Sequence, residues 1–179
     1  VHAAAPRRAP VEVMSGAELD ARDGTYLRRA IEWSRTARER GNRPFGAVVV
    51  SADGAVLAEA YCNTSETGDC TGHAETNAVR DVSPRVGRDV LAKATLYSSG
   101  EPCVMCAGAI FWSGIQRVVF GIDAVSLRVF RGDVATQKDA QLSCRDVFDA
   151  SPHPIECIGP ALTGWKKPAH RTAASGNSA

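Results

Sequence analysis

The chain lacks long hydrophobic runs, and its apolar stretches are as short as residues 47–50, AVVV, or little longer. A helix that crosses a bilayer needs about 20 consecutive apolar residues, so no membrane span is predicted. The first ten residues, VHAAAPRRAP, also lack the apolar core of a secretory signal. We therefore expect a soluble, cytoplasmic protein that has no membrane partner.

An excess of charge of one sign is also missing. The 21 Lys and Arg residues are balanced by 20 Asp and Glu residues, which leaves a net charge of +1. Proteins that bind a polyanionic backbone usually carry a clear basic excess. The balance disfavours nucleic acid as the partner and leaves room only for a local basic patch.

Internal repeats and a second domain are absent from the sequence pattern as well. A length of 179 residues fits one compact domain. Both ends are rich in small, polar and basic residues and show no apolar periodicity. We expect a disordered leader over residues 1–14, one domain over 15–165 and a flexible tail over 166–179.

Six cysteines are present, although nothing indicates export. In a reducing compartment, paired cysteines more often serve metal or redox chemistry than disulfides. The pair that requires explanation is Cys103 and Cys106, in the sequence PCVMC. Cys62, Cys144 and Cys157 are expected to be small buried residues rather than ligands.

Apolar spacing predicts helices that alternate with strands. Residues at helical spacing between Thr25 and Gly41 predict a first helix, with Thr25 as its cap, and Asp53-Gly54 between two apolar runs predicts a hairpin. Later helices are predicted to begin at His73 and at Pro102, since proline favours the first helical turn. The pattern predicts helices packed on a mixed sheet, with strands over 47–50, 55–60, 94–99, 116–122 and 154–159 and helices over 25–41, 73–84, 102–113 and 142–149.

Three metal-binding side chains lie at predicted helix starts. The free N–H groups and dipole of a helix start stabilise anions, so Cys103 and Cys106 are expected to be thiolates, the form that binds zinc. His73 supplies a third ligand, and three protein ligands leave one position of a tetrahedral Zn²⁺ open to water. Glu75, two residues after His73, lies on another side of the helix start, which suits a carrier of that water's protons.

These motifs resemble the cytidine deaminase superfamily. The sequence HAE is followed by PCVMC, with 29 residues between His73 and Cys103. Together the two motifs match the H-x-E…P-C-x-x-C signature of zinc deaminases. The segments PFGA at 44–47 and GAIFW at 108–112 make the set look most like bacterial guanine deaminases. The resemblance implies an α/β fold of three layers, α/β/α, with a five-stranded mixed sheet, a zinc cofactor and a homodimer.

The resemblance also implies hydrolytic deamination of a ring that bears an amino group. Water activated by zinc adds to the ring carbon, Glu75 carries the protons, and ammonia leaves. A free guanine-type purine is the favoured substrate. Cytosine or an amino-triazine is the next alternative, and the adenosine of a tRNA is a third.

Several residues are expected to surround the substrate. The amide of Asn63 suits a base edge, and the backbone N–H of Ala74, at a helix start, suits a ring carbonyl. Phe45 and Trp112 are aromatic candidates for ring contact, although either side chain can equally belong to the core. Phe148, His153 and Trp165 are candidates for a lid over the pocket, from the same chain or a partner.

Two alternatives stay open at this point. Cys70 lies three residues before His73, so Cys70, His73, Cys103 and Cys106 can also be read as a closed four-ligand zinc site of structural type. That site would make the protein a binding module. The CxxC pair alone is also typical of a thioredoxin-like redox site, which leaves the HAE motif unexplained.

Overall fold

The computed structural model of the chain describes residues 19–131 and 142–161. The predicted leader, the predicted tail and Trp165 lie outside these residues. No helix in the described part is long and apolar enough to cross a bilayer. The helices are α1 (Ala21–Glu39), α2 (Thr64–Thr67), α3 (Ala74–Val82), α4 (Arg88–Leu91), α5 (Val104–Ser113), α6 (Ala124–Arg131) and α7 (Cys144–Asp149), and the strands are β1 (Gly46–Val50), β2 (Val56–Tyr61), β3 (Thr95–Gly100), β4 (Arg117–Ile122) and β5 (Glu156–Ile158).

The strands form one mixed sheet in the order β2-β1-β3-β4-β5. β1 pairs antiparallel with β2 and with β3, whereas β3, β4 and β5 run parallel to one another. The turn between β1 and β2 contains Gly54 at φ 98°, a left-handed conformation that glycine adopts at little cost. The predicted hairpin and the predicted five-stranded mixed sheet are both confirmed.

Helices cover both faces of the sheet. Alternate residues of β1 point to opposite faces, so Val48 packs with Leu27 of α1 on one face while Val49 packs with Ala78 of α3 and Ile110 of α5 on the other. α7 adds to the second layer beside α5. This arrangement confirms the predicted three-layer α/β/α fold.

The first helix begins earlier than predicted. Asp20 caps α1 by accepting a hydrogen bond from the Asp23 N–H at 2.7 Å, whereas Thr25 lies within the helix and donates its hydroxyl to the Ala21 carbonyl at 3.0 Å. The expected cap at Thr25 is therefore wrong. Both Asp and Thr suit an N-cap, and the sequence alone did not separate them.

Three short helices were not predicted from the sequence. α2 and α4 are each a single turn, which is too short for apolar periodicity to appear. α6 follows β4 directly and is capped by Asp123, whose carboxylate accepts a hydrogen bond from the Ser126 N–H at 2.7 Å. α6 carries Leu127, whose side chain lies close to Gly100 at the end of β3.

The starts of α3 and α5 meet above the end of β3. α1 packs closely against the start of β1, since a methyl group at Gly46 would overlap the Ala30 carbonyl oxygen. β3, α5 and β4 form a β-α-β unit, so the loop from β3 into α5 lies at the carboxyl edge of the parallel strands. Ligands of α/β proteins commonly bind at this edge.

Candidate active site

Three potential metal ligands meet at the starts of two helices. His73 is the N-cap of α3 and Cys103 is the N-cap of α5, with Cys106 in the first turn of that helix. The His73 Nδ1 lies 3.5 Å from the sulfur of each cysteine, and the two sulfurs are 3.6 Å apart. The structure therefore brings together the three side chains that the sequence predicts as ligands.

These separations match the edges of a tetrahedral zinc site. With Zn–S bonds of about 2.3 Å and Zn–N bonds of about 2.0–2.1 Å, tetrahedral angles place ligand atoms about 3.6–3.8 Å apart. One imidazole nitrogen and two thiolate sulfurs are also soft donors, and such a donor set binds zinc in preference to harder cations. The three residues fit zinc as the cofactor. In the described part of the chain, His73, Cys103 and Cys106 are the cluster of metal-binding side chains whose ligand atoms all lie within 4.8 Å of one another.

The two thiols share charge unequally. Hydrogen bonds from the Cys106 thiol, from His73 and from the Cys106 N–H lower the pKa of Cys103 to about 4. Its negative neighbour Cys103, burial and the nearby Glu75 raise the pKa of Cys106. A divalent cation bound between the two sulfurs would lower the pKa of both thiols and so favour two thiolates.

Glu75 is a buried carboxyl beside the three ligands. Its side chain is almost fully enclosed, with the residue only 4% exposed, and burial raises its pKa. The Ser98 hydroxyl donates to Oε1 at 2.7 Å, and Oε2 lies 3.4 Å from the Cys106 sulfur. Ser98 thus fixes one oxygen and leaves the other directed at the ligands, an arrangement suited to proton transfer.

Asn63 lies at the entrance to α2 with its amide held in one orientation. Its Oδ1 accepts a hydrogen bond from Asn77 Nδ2 at 2.9 Å, and Asn77 also donates to the Tyr61 carbonyl at 3.0 Å. Nδ2 of Asn63 has no hydrogen-bond acceptor among residues 19–131 and 142–161. The side chain can therefore donate to the carbonyl oxygen of a bound ring.

Ala74, the first residue of α3, offers an N–H that has no acceptor within its own helix.

An apolar wall forms around Gly100 at the end of β3. Gly100 and Ser98 point to the same face of the strand because side chains alternate. A methyl group at Gly100 would lie 3.0 Å from Cε1 of Phe45 and 3.3 Å from Cδ1 of Leu127. Phe45 and Leu127 therefore both lie close against Gly100, on the strand that supports Glu75, and the absence of a side chain at Gly100 leaves room for them.

Trp112 lies away from the three ligands within one chain. It is the penultimate residue of α5, about 13 Å along the helix from Cys103 at a rise of 1.5 Å per residue. Its side chain is 76% exposed, so a core role is wrong, and it contacts Phe111 edge-on at 5.2 Å between ring centres. A contact between Trp112 and the substrate stays a prediction.

The candidate lid residues are also separate from the ligands. Phe148 is buried in the core beside α5, and His153 is exposed. His153 and Trp112 line the same surface cavity, of about 330 Å³, at the C-terminal end of α5. Within one chain, neither residue covers the ligand cluster.

The remaining cysteines do not join the metal ligands. Cys70 is exposed and lies outside the cluster of His73, Cys103 and Cys106. Cys62 and Cys144 are buried, and Cys157 is half-buried with its sulfur 3.7 Å from that of Cys144. The geometry thus gives a three-ligand site rather than the closed four-ligand alternative.

Sequence reasoning missed Ser98, Asn77 and Glu101. Ser98 was placed within a strand, and the alternation of β3 is the signal that puts its hydroxyl on the same face as the α3 helix start. Asn77 lies four residues after His73, so it is on the same side of α3. No comparable local signal identifies Glu101, whose contacts come from distant parts of the chain.

Known proteins share this site and fold. Residues 20–122 match the family model described as the cytidine and deoxycytidylate deaminase zinc-binding region. A probable cytosine deaminase of Schizosaccharomyces pombe is 44% identical over 149 residues, which cover 83% of this chain and 90% of the relative. The guanine deaminase of Bacillus subtilis is 39% identical over 100 residues, which cover 55% of this chain and 64% of the relative.

A solved structure extends the similarity to the fold as a whole. It comes from a study of A-to-I editing by tRNA:A34 deaminases, is 30% identical, and superposes with a TM-score of 0.61 over 77% of this chain and 98% of that chain. The family match covers more than half of the 179 residues and includes all three ligands and Glu75. The chain belongs to the zinc-dependent cytidine and deoxycytidylate deaminase family, and it is a hydrolytic deaminase of the nucleobase type.

Proposed function

We propose that this protein hydrolyses the exocyclic amino group of free cytosine or a similarly small aminopyrimidine. In the reaction, cytosine and water give uracil and ammonia. The C–N bond to the amino group breaks, a C=O bond forms at the same carbon, and the amino nitrogen leaves after gaining a proton.

One observation carries the proposed chemistry. The buried Glu75 has one oxygen fixed by Ser98 and the other 3.4 Å from a ligand sulfur, so a carboxyl with a raised pKa lies beside the ligand set. A structural metal site has no need of such a group, because burying an unpaired carboxyl is unfavourable. A hydrolytic site does need it as a proton carrier.

The residues around the ligands divide the chemical tasks. Zinc, when bound by His73 and the two cysteines, supplies a Lewis acid that makes water a nucleophile near neutral pH. Glu75 takes a proton from the attacking water and delivers it to the ring nitrogen. It then takes the second proton, from the hydroxyl that has added to the ring carbon, and passes it to the departing amino group. Asn63 donates from Nδ2 to the ring carbonyl, and the Ala74 N–H offers a second donor. The raised pKa of Glu75 suits a group that must hold and release protons.

The preference for a pyrimidine replaces the preference for guanine expected from the motifs. The guanine preference is not supported, because a probable cytosine deaminase is 44% identical over 83% of this chain. The similarity to the guanine deaminase is shorter, at 55% of this chain. We infer that Phe45 and Leu127, which both lie against Gly100, narrow the pocket and so favour the smaller ring.

A tRNA adenosine is the second candidate substrate. It is favoured by the similarity to the structure from the tRNA:A34 deaminase study, which covers 98% of that chain. The balanced charge of the present chain argues against it. A free base and a folded RNA differ so strongly in size and charge that one assay separates them.

We also infer a cytoplasmic homodimer. Free cysteines throughout the described residues agree with a reducing compartment. The 76% exposure of Trp112 on α5 agrees with a face that a second copy covers.

The test is ammonia release from a panel of cytosine, guanine, adenine, an amino-triazine, cytidine and a tRNA anticodon stem-loop. We expect cytosine to be deaminated at least about 100-fold more efficiently than guanine, because a pocket that fits a single ring excludes the second ring of a purine. Faster release from guanine would overturn the choice of ring. Release from the stem-loop alone would assign the tRNA function.

A further inference from the structure

We propose that Glu101 is a positioning residue, whose carboxylate holds α6 and α7 in place and thereby sets the distance between the apolar wall of the pocket and the metal-binding helix. The inference rests on the proposed deaminase function. It concerns how tightly the substrate is held, and not the chemical step.

Glu101 lies between β3 and the first cysteine ligand and bonds to two distant helices. Its Oε2 accepts a hydrogen bond from the Ala124 N–H, the first residue of α6, at 2.9 Å. Its Oε1 accepts from the Ser143 hydroxyl at 2.5 Å and from the Cys144 N–H at 3.3 Å, at the start of α7. Its own N–H donates to the Ile122 carbonyl at the end of β4, at 2.8 Å. One carboxylate thus joins segments 23 and 42 residues away in sequence.

Neither helix needs Glu101 as its cap. Asp123 caps α6 through the N–H of Ser126. α7 has a capping box of its own, in which the Ser143 hydroxyl accepts from the Arg145 N–H at 3.2 Å and the Asp146 carboxylate accepts from the Ser143 N–H at 2.9 Å. Each helix thus has a cap from its own segment, and Glu101 adds bonds to the remaining first N–H groups, of Ala124 and Cys144. Because these added bonds come from a distant loop, they hold the two helices against that loop.

Both helices adjoin the site. α6 carries Leu127, which, like Phe45, lies close against Gly100. α7 packs against α5, the helix that carries Cys103 and Cys106. Pro102 restricts the backbone between Glu101 and Cys103, so the position of Glu101 is closely coupled to that of the ligand. Releasing the carboxylate therefore frees the wall at Leu127 relative to the metal ligands.

The variant that tests this role is Glu101→Gln, which keeps one acceptor oxygen and replaces the other with a donor. At least one of the two helices then loses its bond. In the full-length zinc-loaded protein, we expect a KM for cytosine about 10- to 100-fold higher, with kcat within about threefold of wild type and zinc content unchanged. We also expect faster amide hydrogen exchange in α6, α7 or both.

The matched control is Asp146→Asn, which weakens the capping box of α7 but leaves Glu101 intact. We expect its faster exchange to be confined to α7 and its KM to equal that of wild type. A wild-type KM in Glu101→Gln would overturn the inference. A loss of zinc or of kcat at unchanged KM would also overturn it, because a merely structural role lowers the active fraction and not the affinity.

Failure of the proposed function gives a different result. If wild-type protein releases no ammonia from any base, the function fails, while hydrogen exchange still tests the Glu101 bonds. Unchanged exchange in both α6 and α7 of Glu101→Gln would then overturn the positioning role by itself.

Discussion

At the scale of single residues, the chemistry depends on how Ser98 divides the two oxygens of Glu75. A buried carboxyl without a partner is costly and tends to turn toward any available donor. The hydroxyl of Ser98 satisfies Oε1 at 2.7 Å, so Oε2 keeps its orientation toward the ligands. The proposed proton carrier is therefore held in place before substrate binds, which is the condition for efficient proton transfer.

The ligand set is tested at this scale by Cys70→Ser. Cys70 is exposed and outside the cluster, so we expect the variant to retain about one zinc per chain and about wild-type activity. The control is Cys106→Ser, which removes a buried ligand and should lose zinc. Zinc content by elemental analysis and ammonia release measure both. Zinc loss in Cys70→Ser would instead support the closed four-ligand site.

At the scale of elements, a buried ion pair joins α1 to the sheet. Asp23 of α1 is 1% exposed and accepts two hydrogen bonds from the Arg117 guanidinium of β4, at 2.7 and 2.8 Å. The Tyr97 hydroxyl of β3 donates to the same carboxylate at 2.9 Å. The pair holds the helix layer opposite the site against the two central parallel strands.

Removing this charge is expected to destabilise the fold. Among the described residues, Asp23→Asn leaves Arg117 with Glu156 as its acidic partner, an exposed side chain at 2.8 Å. We expect the free energy of unfolding to fall by about 3 kcal/mol, at the low end for a broken buried pair because Arg117 is itself partly exposed. Glu156→Gln, which removes only the exposed partner, should cost less than about 1 kcal/mol. Urea unfolding of both variants measures the difference, and equal losses would contradict the account.

The same pair predicts the direction of a pH effect. Burial alone would raise the pKa of Asp23, but hydrogen bonds from Arg117 and Tyr97 outweigh burial and lower it. A lowered folded pKa gives stability that is present above the unfolded value of about 3.9 and is lost as the pH falls through the folded pKa. The stability of Asp23→Asn should therefore depend less on pH in the acid range than that of wild type.

Local sequence signals predicted many of the elements themselves. Asp53-Gly54 between apolar runs predicted the hairpin, and the helix starts at His73 and near Cys103 were placed within two residues. α2 and α4 were missed because a single turn has no periodicity to detect. Glu101 was missed for a different reason, since a carboxylate that bonds to residues 23 and 42 positions away has no local signature.

At the scale of the whole molecule, the metal site could be predicted from the sequence, whereas the identity of the substrate ring could not. The ligands lie in two short motifs, and their spacing carries the chemistry. The proposed surroundings of the substrate ring come from four separate segments, which contain Phe45, Asn63, Gly100 and Leu127. Only the packing of the sheet with α2 and α6 brings these segments together. Sequence motifs shared by guanine, cytosine and tRNA deaminases therefore indicate the reaction and leave the choice of ring to the fold.

The most direct test of the central claim is ammonia release by Glu75→Gln compared with wild type, at equal and measured zinc content. Gln fits the same space but cannot carry a proton, and Ser98 can still donate to its carbonyl oxygen. We expect zinc to remain at about one per chain while turnover falls by about 100-fold or more. Near-normal turnover in the zinc-loaded variant would contradict the role of Glu75 and the proposed mechanism.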